Sequence, residues 1–358
     1  MELRPKTNKQ RVNGKAAASF FGLICFLNIS IICKNTLKTH GILIILMNKS
    51  QEVIEIKISI THQFDRVNVE IINSCNLQCS FCPAGDSPKS VMSPGQFFGI
   101  AQSLRGKTKE IVLHLLGEPL SHPDLAGILS AGADAGIPIN VVTNGLLLQG
   151  ERAELLLRPI VRQVSISLQS FADNFKDQSP EAYVKRVKGF ADLALEGRPD
   201  LYLNLRFWDI GAMEESCPPN EAVVAPAALM MREALARAFE FDWSTVRIDL
   251  KRKKNHRLRA RQYLHFDSRF VWPSLQNEVL QSQGFCHGLT GHFGIHANGT
   301  VVPCCLDHKA DINLGNVFES PLDEILSSER AKALREGFAR RALVEDLCKR
   351  CGFISRFN

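Results

Sequence analysis

Aromatic side chains are scarce in this 358-residue chain, at 8% of the total. None of them interleaves with its one dense basic stretch, Lys251 to Arg261, so a stacking platform for single-stranded nucleic acid has little to be built from. A long apolar run is missing as well. The best candidate, Ala16 to Cys33, is broken by Asn28 and Ser30. It falls short of the ~20 uninterrupted residues that a spanning helix needs, and no clear small-residue cleavage site follows it. Charge of one sign is absent from the body of the chain. The formal excess of +6 sits in residues 1–46, where Arg4, Lys6, Lys9, Arg11, Lys15, Lys34 and Lys38 face the single acid Glu2. Taking those seven from 43 basic residues and that one from 37 acidic residues leaves 36 of each, and so no global field for nucleic acid or membrane. A disulfide-scaffold pattern is missing too, although there are 11 cysteines; their clustered spacings favour metal over disulfides.

What is present is concentrated in Asn73 to Gly85, which reads N-S-C-N-L-Q-C-S-F-C-P-A-G. Cys75, Cys79 and Cys82 stand at C-x3-C-x2-C, just after the apolar run Val67, Val69, Ile71, Ile72. A strand that delivers three thiolates to one loop is a metal site, and three is the informative number. A structural zinc wants four protein ligands, and no further Cys or His stands nearby to supply the fourth. Cuboidal iron–sulfur clusters usually take one thiolate per iron, so a trio leaves one iron open to a ligand that is not protein.

The abrupt change of character at Met47 suggests that Met47 is the natural start and that residues 1–46 are a doubtful extension from an overextended frame. From Arg66 the chain alternates β-branched runs with helix-like segments, as a parallel sheet wrapped by helices does. Strands are expected at Val67–Ile72, Glu110–Leu115, Ile137–Val142, Val164–Leu168, Leu201–Phe207 and Val246–Leu250. Helices are expected to open at Ser93-Pro94, His122-Pro123-Asp124, Gly150-Glu151 and Ser179-Pro180-Glu181. If the strands close into a barrel, the residues just after each one are those to inspect.

At its three cysteines the sequence resembles the radical S-adenosylmethionine (SAM) family, whose signature has this spacing. The resemblance implies that Cys75, Cys79 and Cys82 hold a 4Fe–4S cluster whose open iron is chelated by SAM. Reductive cleavage of SAM then gives a 5′-deoxyadenosyl radical that takes a hydrogen atom from substrate. Phe81 matches the aromatic before the third cysteine. Leu116-Gly117-Glu118-Pro119 matches the family's Gly-Gly-Glu-Pro element, with leucine in place of the first glycine, and assigns Gly117 and Glu118 to the methionine amino group of SAM. Thr143-Asn144-Gly145 matches a family turn and makes Asn144 a cofactor candidate, although Asn-Gly is also an ordinary turn signal. Ser167 is the candidate near the ribose and carboxylate, with Gln169 where relatives often carry aspartate. Alternation puts Asn204 and Arg206 on one face, and from there Arg206 would pair with a carboxylate of SAM or substrate; an outward salt bridge is the competing reading.

A second cysteine set follows. Cys286, Cys304, Cys348 and Cys351 are spaced C-x17-C-x43-C-x2-C, and 293–303 reads as a hairpin carrying Cys304. This resembles the twitch domain, a shortened SPASM auxiliary-cluster domain, and implies a second, fully ligated 4Fe–4S cluster; a four-cysteine zinc site is the alternative. Cys305 is read as a packed thiol. In the family's alcohol-dehydrogenase relatives an arginine upstream of the first auxiliary cysteine holds the substrate alcohol, and Arg269 stands at a comparable separation from Cys286, although the segment between does not otherwise match and a structural arginine is the competing reading.

The expected architecture is therefore α/β: a partial (β/α)6 TIM-like barrel over 66–250, a basic linker and bridging segment over 251–283, and a small α+β auxiliary-cluster domain over 284–358. The expected activity is net dehydrogenation of a small polar or sugar-like substrate in the cytoplasm, with a reductant such as flavodoxin or ferredoxin. Two rivals stand beside it. One is modification of a peptide or protein side chain. The other, from a different class, is a non-catalytic zinc protein binding nucleic acid through 251–261. Neither nucleic acid nor membrane is an expected partner on the first reading.

Overall fold

The computed structural model describes residues 64–83, 88–208, 226–249, 252–268 and 270–357 in full, and the backbone of three strands before them. Those three, β1 (Ser30–Lys34), β2 (Gly41–Met47) and β3 (Val53–Ser59), form an antiparallel sheet in the order β1-β2-β3 within a unit of their own, residues 1–62. Most of the doubtful 1–46 extension lies outside the described residues, as do Arg269, Cys217 with its Pro-rich insertion, and residues 84–87 at the end of the first cysteine motif.

The second unit begins at residue 63 and is organised by β4 (Arg66–Val69), β5 (Ile111–Leu113), β6 (Ile139–Thr143), β7 (Val161–Ser167) and β8 (Tyr202–Phe207), all paired in parallel. Helices α1 (Pro94–Leu104), α2 (Leu125–Ala135), α3 (Gly150–Leu155), α4 (Leu168–Asn174), α5 (Glu181–Gly197) and α6 (Pro226–Phe239) follow the strands. This is the mixed α/β, partial-barrel pattern that the sequence alternation implies. The start signals act as read: Ser93 forms a capping box with Gln96 at α1, and Asp124 accepts the Gly127 N–H at α2. Register explains why the runs are apolar. Val67 pairs with Ile111, Ile111 with Ile139 and Ile139 with Val161, one row of fully buried side chains across four strands. The opposite face carries polar side chains: Asn68 and Asn140 are buried there on either side of Val112, and Asn204 and Arg206 of β8 share that face.

The sixth parallel strand differs from expectation. Residues 246–249 form only one isolated bridge, Asp249 to Lys253, after a short 3-10 turn at Trp243–Thr245. The strand beside β8 is β10 (Gln262–Phe266), preceded by the antiparallel edge strand β9 (Asn255–Arg259). Gln262, Leu264 and Phe266 are buried in alternation, as a sheet position requires. The basic run thus supplies an edge strand, tied down by Arg259 on Asp192 and by Lys254 on Asp267 at 3.1 Å. At the opposite edge the C-terminal hairpin, β11 (His292–Ile295) and β12 (Thr300–Val302), joins the same sheet, because β11 pairs in parallel with β4. The short β13 (Gly315–Asn316) ends that edge, and α7 (Leu322–Leu326), α8 (Glu329–Ala339) and α9 (Asp346–Lys349) complete the chain.

Candidate active site

The loop after β4 is braced before it reaches its cysteines. Asn73 accepts the Ser90 N–H at 2.9 Å and donates to the Pro88 carbonyl at 2.7 Å. The short helix α4 grips the far side: Asp173 accepts both the N–H and the hydroxyl of Ser80, at 2.5 and 2.6 Å, and Asn174 accepts the Gln78 N–H at 2.9 Å. Two side-chain amides point at sulfur, Asn174 at Cys79 (3.1 Å) and Asn144 at Cys75 (3.7 Å). Burial pushes the Cys75 and Cys79 thiols up, so these thiolates need a cation, and amide donors suit metal-bound sulfur.

The loop 115–119 meets this one from the end of β5. Gly117 has φ 73°, and a Cβ there would stand 2.0 Å from the Ile72 carbonyl oxygen. Only glycine fits. The leucine that replaces the family's first glycine is Leu116, and the other positive φ of the loop falls one residue earlier, at Leu115 (144°). Glu118 is 1% exposed and held by three hydrogen bonds: Oε1 accepts the Leu120 N–H (2.9 Å) and the Thr143 hydroxyl (2.7 Å), and Oε2 accepts the Asn144 N–H (2.7 Å). It is first a tie between two loops; Oε2 keeps a lone pair for a further donor. Burial raises its pKa against those bonds.

These loops open on one cavity of 540 Å³. Its walls bring together Cys75, Cys79, Cys82, Phe81, Gly117, Glu118, Asn144, Ser167 and Arg206. Ser167 begins α4 without spending its hydroxyl on a cap. Arg206 lines this cavity, 5.7 Å from the Trp208 ring, and has no ion-pair partner among the described residues. Desolvation lowers its pKa. Two residues of this wall also carry a buried polar atom without a hydrogen-bond partner among the described residues, Gln169 Oε1 and Trp208 Nε1.

Several cavity residues carried no motif signal in the sequence: Glu70, His114, Trp208, Trp272 and His296; His308, close after the second-set Cys304, also lines the cavity. His114 and Trp208 directly follow β5 and β8, so inspecting strand ends would have found them. Burial drives the His114 pKa down to about 3, with Arg206 adding to the effect. Trp272 donates its indole N–H to the Phe81 carbonyl at 2.9 Å and sets its ring edge-on to His308 at 5.7 Å.

The second cysteine set also converges. Burial pushes the Cys304 thiol far up, and the nearby sulfurs of Cys286, Cys305, Cys348 and Cys351 push it further. Cys348 behaves likewise, and Cys286 rises to about 11. Such a knot suits a metal that compensates several thiolates together. Among the described residues no three His, Cys, Asp or Glu converge tightly enough for one metal ion, whereas a cuboidal cluster takes its thiolates at separate corners. The residues at both sites fit iron–sulfur clusters.

Two family models match this chain: the radical SAM superfamily over residues 69–206, and the SPASM iron–sulfur cluster-binding domain over 286–352. The chain belongs to the radical SAM superfamily. Residues 286–352 are its SPASM/twitch domain. The radical SAM domain implies a 4Fe–4S cluster with SAM, and the SPASM domain implies auxiliary iron–sulfur clusters. Among curated proteins the chain is 29% identical over 127 residues to an AdoMet-dependent heme synthase of Methanosarcina barkeri, covering 34% of this chain and 36% of that protein. It is 24% identical over 263 residues to a probable GTP 3′,8-cyclase of Methanocaldococcus jannaschii, covering 69% and 87%. Among solved structures, SuiB of Streptococcus suis bound to S-adenosylmethionine shares the fold at a TM-score of 0.52 and 16% identity, covering 83% of this chain and 72% of that one. No helix among the described residues is long and apolar enough to cross a membrane.

Proposed function

We propose that this radical SAM enzyme is an oxidoreductase that dehydrogenates a small polar or sugar-like substrate in the cytoplasm, drawing electrons from a flavodoxin- or ferredoxin-type donor. The observation that carries the reading is the shared cavity wall: Trp272 and His308, from the part of the chain around the second cysteine set, face the same space as Cys75, Cys79 and Cys82. When bound, the first cluster and SAM supply a hydrogen-abstracting adenosyl radical, and the second cluster supplies a one-electron acceptor. Cys75, Cys79 and Cys82 hold the first cluster through three thiolates. Cys286, Cys304, Cys348 and Cys351 hold the second through four, which leaves it no open position for substrate.

Gly117 and Glu118 hold the SAM amino end, Asn144 and Ser167 its sugar side, and Phe81 its adenine through backbone. Arg206, a desolvated guanidinium on the cavity wall with no ion-pair partner among the described residues, receives a carboxylate. Trp208 and Trp272 keep water from the reacting carbon. Arg269 holds the substrate hydroxyl. The test is anaerobic turnover with SAM and dithionite over a panel of small polyols and amino alcohols. The expected product has lost two hydrogens and appears with an equal amount of methionine. Turnover confined to peptides, or a product isomeric with its substrate, would contradict the reading.

A further inference from the structure

Glu70 directly follows β4, in a stretch that reads as ordinary strand, yet it is only 3% exposed. A carboxylate in such a place is costly unless donors meet its oxygens. Here the donors come from two segments far apart in the chain. Oε2 accepts the Leu116 backbone N–H at 3.1 Å, beside Gly117 and Glu118. Oε1 accepts the Ala297 backbone N–H at 3.2 Å and stands 3.6 Å from Nδ1 of His296. Glu70 also donates its own N–H to the Ile295 carbonyl at 2.9 Å, so backbone and side chain of one residue grip the C-terminal hairpin. From there the path continues. His296 Nε2 lies 2.9 Å from the Asp307 carbonyl oxygen. The Asp307 carboxylate accepts the N–H groups of Asp311 and Ile312 at 2.8 and 2.9 Å, which fixes the loop leaving Cys304 and Cys305.

We infer that Glu70 is a positioning residue coupling the two cysteine sites: it sets the Leu116–Glu118 loop, on the SAM side of the cavity, according to the state of the loop that carries Cys304. The coupling rests on the functional reading above for what each site holds, and on the hydrogen bonds alone for the link. An engaged second site keeps the Asp307 loop and His296 in place, His296 and Ala297 hold Glu70, and Glu70 holds Leu116. A disturbed second site frees Glu70 and loosens the loop without touching it.

The test uses the full chain, reconstituted anaerobically with iron and sulfide, as wild type, Glu70→Gln, Cys348→Ala and the double variant. SAM affinity is read by calorimetry and by the change SAM makes in the EPR spectrum of the reduced first cluster, a signature that a general loss of stability does not mimic. Each single change is expected to weaken SAM binding roughly tenfold, and the double variant no more than Glu70→Gln alone. Because Glu70→Gln has a buried site to refill, His296→Gln serves as a second variant; it leaves both backbone N–H bonds to Glu70 intact and should weaken SAM binding less, with the same lack of additivity. Hydrogen exchange of a peptide spanning Leu116–Glu118 supplies a readout that needs no SAM: exchange should quicken in each single variant and no further in the double. SAM affinity within about twofold of wild type in Glu70→Gln, or independent effects that multiply in the double, overturns the coupling. If wild type binds no SAM yet the exchange pattern holds, the functional reading fails and the coupling stands. If SAM binds normally and the pattern is absent, the coupling fails and the reading stands.

Discussion

Gly117 offers the sharpest structural prediction, because a matched control exists in the same unit. Gly117 and Gly106 have nearly the same backbone, φ 73° and 72°. Around Gly106 a Cβ would meet nothing within 4 Å, so Gly106→Ala costs only the left-handed strain of about 1–2 kcal/mol. At Gly117 the same methyl would meet Ile72 O at 2.0 Å, Ile72 C at 2.8 Å and Asn73 Cα at 3.0 Å, all backbone atoms. Relief requires the two segments to part by roughly 1 Å or more, since nonbonded heavy atoms settle at about 3.5–4.0 Å. The parting strikes where the Glu118 N–H donates to the Ser74 carbonyl at 3.0 Å, one residue before Cys75. Gly117→Ala should therefore cost about 3 kcal/mol or more, well beyond the control, because strain and overpacking add. SAM affinity should fall by up to about a hundredfold, the scale on which a ~1 Å misplacement is felt in an active site. Urea unfolding of both anaerobically prepared variants, with SAM titrations alongside, checks this. Equal destabilisation by the two alanines, with SAM affinity intact in Gly117→Ala, would refute the reasoning.

Other outcomes follow from the same geometry. Cys79→Ala should reduce 5′-deoxyadenosine formation to background while leaving the iron of the second site in place, as counted by iron and sulfide analysis; retained cleavage of SAM would contradict the assignment. Cys348→Ala should spare part of that cleavage and stop product formation, and full turnover without Cys348 would remove the role given to the second site. Asp173→Ala frees Ser80 from two hydrogen bonds and should speed loss of first-site iron to a chelator severalfold; an unchanged rate would show that α4 does not hold the cysteine loop. The Glu70–His296 pair has a definite pH signature. Burial opposes the Glu70 charge, but His296 and the N–H donors outweigh it and hold the carboxyl below 4.5, so its contribution is present above that pH and lost as acid titrates through the lower value. Burial likewise opposes the His296 charge, but Glu70 outweighs it and raises the pKa above 6.5, so that contribution is complete below 6.5 and fades as pH climbs through the raised value. The stability gap between wild type and His296→Gln should thus be widest, about 1–3 kcal/mol, near pH 6 and narrow by pH 9; a gap that widens with pH would contradict the pairing.

The parts of the site visible in the sequence are those whose chemistry is local. Cys75, Cys79 and Cys82 lie within one loop, so their spacing announces them, whereas Gly117, Glu118 and Asn144 became candidates only through their resemblance to the family's short motifs. Arg206 was legible through strand alternation, because Asn204 and Arg206 must share a face. Glu70 was not, because its meaning lies in partners 46 and 227 positions away. Trp272 was hidden for the same reason: its bond to Phe81 spans 191 positions. The sixth strand failed for a different cause. Val246–Leu250 alternates as well as Gln262–Phe266 does, and the basic residues before Gln262 disguised a strand as a linker. Nor does any local signal tell that β11 pairs with β4, which puts the C-terminal hairpin on the barrel sheet itself.

Three thiolates at the first site leave one iron of a 4Fe–4S cluster for SAM. Iron and acid-labile sulfide counting on anaerobically prepared protein, followed by EPR of the reduced sample with and without SAM, tests it most directly. Two clusters, about eight iron and eight sulfide per chain, with a signal that shifts on adding SAM, is the result predicted here. Zinc without sulfide, or a first-site signal indifferent to SAM, would contradict it.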